Sequence, residues 1–322
     1  MHIEVKISDE LTVNDWKTYT YSFNQVFQKS FTVKDFEHKY LNTIDTYSYH
    51  VLLKDDKNDV VGGFTAIPYE YLIANGSVRV GVIVDVFITE DHRSDLLALH
   101  KMYKKIKEEL IENDIALTIT NPNETAFKYW QKIVRMKEVG NLYYHILPLK
   151  IANVVTKLPK FLNSFSLFGS KLFAWLSIFN VSERLFPIRL NRFNDIIEKQ
   201  RYTKDHKKIS IKNTFFTYRI VNEEGVITCY LIDFYNIKNR KKDTTSLRRA
   251  ISYIISVEDI DLIIFVGKLT FFQFLLFKVP FKLEPRHLHF MVDIINKEKV
   301  SNPEIIYNFH NWDFGLFNYD VR

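Results

Sequence analysis

Three kinds of side chain in this sequence have the type and spacing to do chemistry. The first is a lone carboxylate, Asp85, inside the run Val82-Ile83-Val84-Asp85-Val86-Phe87-Ile88. So many β-branched residues in succession suit a buried strand. A carboxylate held there away from water keeps a proton more tightly, which suits a general base. The competing reading is a strand-end Asp satisfied by backbone N–H groups or by a Lys. The second is a helix start. Past Thr89-Glu90-Asp91-His92 the spacing predicts a helix from Arg93, because Leu96, Leu99, Met102, Tyr103 and Ile106 recur three and four residues apart. A strand feeding a helix leaves N–H donors unpartnered at the helix start. With Arg93 beside them, they make an anion site. The third is a set of proton carriers. His50 and His310 are alternative bases that also read as structural histidines. Tyr129 is a candidate proton donor, and with Trp130 it also reads as helix core.

These residues need elements to hold them. Ile3–Ile7 reads as a strand, and Thr12 or Asn14 caps a helix to about Phe27. A second helix covers Thr32–Tyr40. Ser48–Leu53 and Val60–Tyr71 read as strands joined at Asp55–Asp59, with Gly62-Gly63 marking a bulge or a close backbone approach. Asn75-Gly76 is a hairpin signal leading into the central strand. Ile115–Thr120 is a strand, and a further strand starts at Lys137. Leu158–Val181 is strongly apolar but interrupted, and reads as one or two amphipathic helices packed between domains. A membrane-surface helix is the competing reading, favoured by Lys157, Lys160 and Lys171 beside Phe and Trp. Beyond it come a hairpin of Phe215–Val221 and Val226–Phe234, a helix from Asp243, a strand Asp261–Val266, a helix Thr270–Lys278 and a strand His287–Ile294.

Composition bounds the function. At 322 residues the chain has room for two domains, and 47% hydrophobic residues exclude wholesale disorder. The net charge of +6 suits an anionic ligand. The Lys and Arg are dispersed, without the basic-aromatic module of a nucleic-acid reader. Cys229 stands alone, so no disulfide forms within the chain, which points to a reducing compartment and a cytoplasmic protein. Its place in the run Val226–Phe234 reads as a buried thiol rather than a nucleophile. The N-terminal MHIEVKISDE is no secretory signal, and no uninterrupted apolar run is long enough to span a membrane. His287 and His289 alternate along a strand without a third ligand, so no metal is expected. No phosphate-loop or dinucleotide fingerprint occurs.

The stretch from Val80 to Ala98 resembles the coenzyme-A-binding core of the GNAT N-acyltransferase superfamily. There a strand leads to Arg or Gln, two residues, Gly, one residue, and Gly or Ala. Arg93 and Ala98 match that pattern, and Leu96 stands where the family has glycine. Asn123 and Ala126 are similar to the Asn and small residue that open a later helix of the family. The resemblance covers about residues 1–150. It implies acyl transfer from a thioester to an amine. Phe87 and Ile88 would offer backbone N–H groups to the thioester oxygen, and one such donor is worth roughly 3 kcal/mol. Asp85 would deprotonate the amine, and Tyr129 would protonate the leaving thiolate. Arg93, with the N–H groups of Ser94, Asp95 and Leu96, would face the phosphates of coenzyme A, the co-substrate.

Strand, strand, helix, strand, helix, strand recurs after residue 200 without a coenzyme signature. The expected fold is therefore α/β (α+β): tandem GNAT-like halves, each a mixed, mostly antiparallel twisted sheet flanked by helices. The expected organisation is a coenzyme-binding domain at 1–150, an apolar helical connector at 151–199, and a degenerate half at 200–322 that helps form the acceptor site. The ending from Asn308 to Val321, with His310, resembles that of tandem nucleotide-sugar N-acyltransferases of bacterial surface-polysaccharide pathways, which implies a nucleotide-linked amino sugar as acceptor. Two alternatives remain. One is a Fem-like peptidyltransferase drawing amino acids from charged tRNA. The other is a non-catalytic interaction module, which Leu96 in place of glycine would fit.

Overall fold

The structure, a computed structural model, describes residues 1–74, 76–95, 97–176, 186–192, 196–269 and 275–319. In chain order the elements begin β1 (His2–Ile7), α1 (Val13–Phe27), α2 (Val33–Leu41), β2 (Tyr49–Lys54), β3 (Val60–Ile73), β4 (Gly76–Ile88), α3 (Ala98–Glu112), β5 (Leu117–Thr120) and α4 (Glu124–Tyr129). They continue β6 (Lys137–Pro148), α5 (Ile151–Val154), α6 (Leu162–Leu176), β7 (Ile188–Leu190), α7 (Ile196–Arg201), β8 (Lys207–Ile211), β9 (Thr214–Glu223) and β10 (Val226–Asn236). The last are α8 (Thr244–Val257), β11 (Leu262–Gly267), β12 (Phe277–Lys278), β13 (Leu288–Ile294) and α9 (Pro303–Ile306). Two compact units result: Met1–Asn141 with Pro187–Arg201 and Leu288–Trp312, and Leu142–Phe186 with Tyr202–His287 and Asp313–Arg322.

In the first unit the strand order is β1-β2-β3-β4-β5-β13, with β7 added to β3. All neighbours run antiparallel except β4 and β5, which are parallel. The helical spacing read from the sequence explains how α3 covers one face. Leu99, Met102, Tyr103, Ile106 and Leu110 are buried against Tyr49, Val51, Phe64 and Ile83. α1 and α2 bury Trp16, Tyr19, Phe23, Phe36 and Tyr40, and the Tyr19 and Phe23 rings meet Phe87 of β4 at 5.0 and 5.8 Å. Both helices carry a capping box, Thr12 with Asp15 and Thr32 with Asp35. Gly63 is a close approach, since a Cβ there would lie 2.4 Å from the Val51 carbonyl oxygen.

In the second unit the order is β6-β11-β10-β9-β8, and β10 and β11 are the parallel pair. α8 buries Leu247, Ala250, Ile251 and Ile254 against Phe216, Leu231 and Ile263. Cys229 is buried in that core, as its apolar run predicts, and burial pushes its thiol well up.

Several expectations need correction. α3 begins at Ala98, not Arg93, and a short 3-10 turn, Glu90–His92, stands in between. Residues 270–274 of the predicted helix Thr270–Lys278 lie outside the described residues, and Phe277–Lys278 is a strand. Asn75 of the hairpin signal and Leu96 also lie outside them, as do residues 177–181 of the apolar stretch and Asp320 and Val321 of the ending. Separate tandem halves are not resolved. β6 is one strand whose first residues belong to the first unit and whose remainder belongs to the second.

Candidate active site

The site is built on an irregularity in β4. Gly63 pairs with Phe87 but Thr65 with Val84, so β4 carries one residue more than β3 across this stretch. Asp85 takes up the excess with φ of 55°, in the left-handed region, where Asp is tolerated better than the β-branched residues flanking it. The bulge turns its side chain toward α2. The carboxylate is fully buried. Its Oδ2 accepts hydrogen bonds from Lys39 Nζ at 2.6 Å and Tyr40 Oη at 2.5 Å. Burial and the neighbouring Asp85 charge push the Tyr40 phenol well above its usual range, so Tyr40 stays protonated and donates. The competing reading, an Asp satisfied by a Lys, is thus part of what the structure shows.

Behind Tyr40 the polar contacts continue. Its hydroxyl lies 3.1 Å from Tyr19 Oη, and Tyr19 Oη lies 3.4 Å from Thr65 Oγ1. Thr65 Oγ1 is 3.0 Å from His50 Nδ1, and His50 Nε2 is 2.9 Å from Ser8 Oγ. His50 is wholly buried, and that burial lowers its pKa to about 3, so it is neutral with both ring nitrogens engaged. This arrangement argues against His50 as a base in contact with substrate. α7 braces the same region: Gln200 receives the Tyr69 hydroxyl at 2.5 Å and donates to the Lys39 carbonyl at 2.7 Å.

The edge of β4 is open where the bulge lies. β5 ends at Thr120, opposite Ile83, so among the described residues no strand pairs with Val84–Ile88 on that side. The Thr89 N–H reaches the Val61 carbonyl at 2.9 Å. Antiparallel pairing alternates, so the N–H and C=O of Ile88 turn away from β3, toward the open edge. The Ile88 carbonyl accepts a 2.9 Å hydrogen bond from Arg93 Nε. Phe87, one residue earlier, bonds its backbone to β3 and buries its ring, so of the two candidates only Ile88 presents an amide to this edge.

The loop into α3 is ordered by its own side chains. Asp95 accepts the Leu97 N–H at 2.9 Å and pairs with Lys101 at 2.7 Å, which holds its carboxyl below the usual range. Arg93 and Ser94 are exposed and Ala98 is buried. Leu97, at the N-cap position, makes no side-chain cap, and the Ala98 N–H donates to the Asp95 carbonyl at 3.0 Å, so the donors left without a side-chain cap are the later amides of the first turn. Asn123 has a structural task, capping α4 by accepting the Ala126 N–H at 2.9 Å. Tyr129, at the end of α4, is 41% exposed, while Trp130 beside it is fully buried. His310 is exposed on the short turn Phe309–Asn311. The described residues contain no group of three side chains able to hold a metal ion. They also contain no helix long and apolar enough to cross a membrane.

Comparison with known proteins bears on this geometry. Residues 8–130 match the model of the acetyltransferase (GNAT) domain. No curated protein matches. A GCN5-related N-acetyltransferase from Anabaena variabilis is similar in structure over 92% of this chain and 74% of its own, with TM-score 0.59 at 13% identity. A probable N-acyltransferase of unknown function from Enterococcus faecalis is similar over 93% and 74%, with TM-score 0.59 at 11% identity. N-myristoyltransferase from Saccharomyces cerevisiae, solved with bound myristoyl-CoA, is similar over 90% and 82%, with TM-score 0.54 at 12% identity. The chain therefore has the mixed-sheet fold of the GNAT-superfamily acetyltransferases.

Proposed function

We propose that this protein is an acyl-CoA-dependent N-acyltransferase whose acceptor is a primary amine, with a nucleotide-linked amino sugar as the acceptor class. The observation that carries it is the bulge of β4, which sets a buried carboxylate and an outward backbone amide within three residues of each other at an open strand edge. The GNAT domain match over residues 8–130 supports the same reading.

Acyl-CoA supplies the thioester carbonyl. Asp85 accepts a proton from the incoming amine, and Lys39 and Tyr40 fix the orientation of its carboxylate. The Ile88 N–H donates to the carbonyl oxygen as negative charge gathers there. Tyr129 returns a proton to the thiolate that leaves. The uncapped amides of α3 and the Arg93 guanidinium fit a diphosphate, since an anion there meets unpaired N–H groups and the positive end of a helix. Ser94 would contribute through its backbone, whereas the Asp95 side chain shapes the loop.

The test is thiol release from acetyl-CoA and longer acyl-CoAs with a panel of nucleotide-linked amino sugars, beside calorimetric titration with coenzyme A. Binding with release on an amino sugar supports the whole reading. Binding with release on other amines alone overturns the acceptor class, and no binding overturns the enzyme.

A further inference from the structure

In the second unit, α6 is turned inside out. A surface helix ordinarily packs its apolar stripe on the core and shows its polar side to water. Here the inward side is mostly polar and small, with Leu167 partly buried against the core beside it. Asn163 Oδ1 accepts the Ala152 N–H at 2.7 Å, Ser166 Oγ donates to the Leu149 carbonyl at 2.6 Å, and Ser170 Oγ donates to the Pro148 carbonyl at 3.2 Å. Ala174 completes that side, buried one helical repeat further on. The outward stripe is Phe165, Phe168, Leu172 and Trp175, led by Phe161 just before the first turn. These residues are spaced four, three, four and three apart, and each keeps 41–69% of its surface exposed.

A second exposed segment adjoins it. Phe173 of α6 meets the Phe277 ring at 5.8 Å, and Phe277, Phe281 and Leu283 are all exposed, with Lys278 and Lys282 exposed between them. The charge is one-sided. Residues 151–181 contain no Asp or Glu but include Lys157, Lys160 and Lys171. Residues 262–283 contain none either. A groove of about 350 Å³ between α6 and α8 is lined by Lys171, Trp175 and Arg248 among others.

We propose that this face docks on an anionic lipid surface. The aromatic stripe would sit at the boundary of headgroups and acyl chains, with the lysines and Arg248 reaching the lipid phosphates. Interleaved Lys and Phe are what such a boundary accepts, whereas the centre of a protein interface is depleted of lysine. A second copy of the chain would set these lysines against one another. Lipid docking is independent of the acyl-transfer reading and needs no catalysis for its test.

The experiment is co-sedimentation of the full chain with vesicles of phosphatidylcholine, with and without phosphatidylglycerol. Of the four tryptophans, Trp16, Trp130 and Trp312 are buried, so a blue shift of fluorescence on vesicle addition reports Trp175. The expected result is binding to the phosphatidylglycerol vesicles that weakens with salt, accompanied by the blue shift. A triple variant, Phe161→Ser, Phe165→Ser and Phe168→Ser, should partition at least about tenfold less, with its circular dichroism spectrum unchanged, because the lost rings supply the insertion. Lys157→Gln with Lys160→Gln and Lys171→Gln should remove most of the salt dependence. Absence of binding, equal binding by the triple variant, or self-association through this face without vesicle binding would each overturn the proposal.

Discussion

β4 and β10 make the most instructive pair of regions in the molecule. Each is antiparallel to the strand before it, parallel to the strand after the next long helix, and bulged. In β10 the pairing slips between Leu231 and Asp233, and Asp233 is fully buried, as Asp85 is. The surroundings of the two carboxylates and the helix starts beyond them differ. Lys242 lies 3.8 Å from Asp233 and 2.8 Å from Asp313, so in the second unit the carboxylate belongs to a buried charge cluster. Asp243 then caps α8 by accepting the Ser246 N–H at 2.6 Å, whereas no side chain of Leu97 caps α3. The same strand pattern thus ends in a closed helix start in one unit and an uncapped one in the other.

The largest expected effect separates the two carboxylates. Asp85→Asn should lower kcat/KM by about 10²–10⁴, the range for losing a general base, with the fold retained. Lys242→Met instead removes the buried cation that Asp233 and Asp313 share. Breaking a buried pair in this way costs about 3–5 kcal/mol. That variant should melt at markedly lower temperature while the turnover of the folded fraction stays intact. Thiol-release assays beside thermal melts check both. If Lys242→Met lost turnover without losing stability, the two strands would not divide chemistry from structure. Tyr40→Phe should fall between them, with turnover reduced about tenfold by the loss of one charge-assisted hydrogen bond to Asp85.

Helix starts provide the next test. Arg93→Ala should weaken coenzyme A binding by about two- to fivefold, since one exposed charge pair contributes about 0.2–1 kcal/mol. Asp243→Ala should leave that affinity unchanged and cost about 1 kcal/mol of stability through the lost cap. Calorimetric titration and denaturant unfolding distinguish the two. An affinity loss on uncapping α8 would mean that the second helix start also takes an anion.

Much of this is legible in the sequence where a single residue and its neighbours decide the outcome. Asp85 in a buried run, Asp243 as a helix start, Cys229 as a core thiol and the inward stripe of α3 all follow from spacing alone. The hidden features depend on partners far along the chain. The bulge exists only in the pairing of β4 with Gly63 and Thr65, and Lys39 and Tyr40 reach Asp85 across more than forty residues of sequence. The start of α3 lies later than its spacing predicts, and just ahead of it Arg93 Nε–H donates to the Ile88 carbonyl while Asp95 accepts the Leu97 N–H, two contacts that apolar spacing does not encode. On α6 the apolar spacing marks an amphipathic helix, but spacing does not tell which side faces water.

The two units also bury histidines differently, and this yields the smallest effect. His50 has partners on both nitrogens, whereas among the described residues no hydrogen-bond partner is found for His145 Nδ1 in the second unit. Burial lowers their pKa values to about 3 and about 4, with Lys278 adding to the effect at His145. An unfolded histidine takes up a proton near pH 6.5, but these two remain neutral in the fold until well below that. The unfolded chain therefore binds more protons as pH falls from about 6.5 toward 4, and stability declines across that window. Glu4 and Asp15, both held near 2 chiefly by Lys54 against the cost of burial, extend the decline below about pH 4.5. His50→Gln should be less stable at pH 7, because it disturbs a fully bonded site, yet its melting temperature should fall less steeply between pH 6.5 and 4.5. His145→Gln should flatten the same window at smaller cost at pH 7, since fewer hydrogen bonds are lost. Melting temperatures of the three proteins measured across that range decide the matter, and parallel curves would mean that neither histidine is held neutral by the fold.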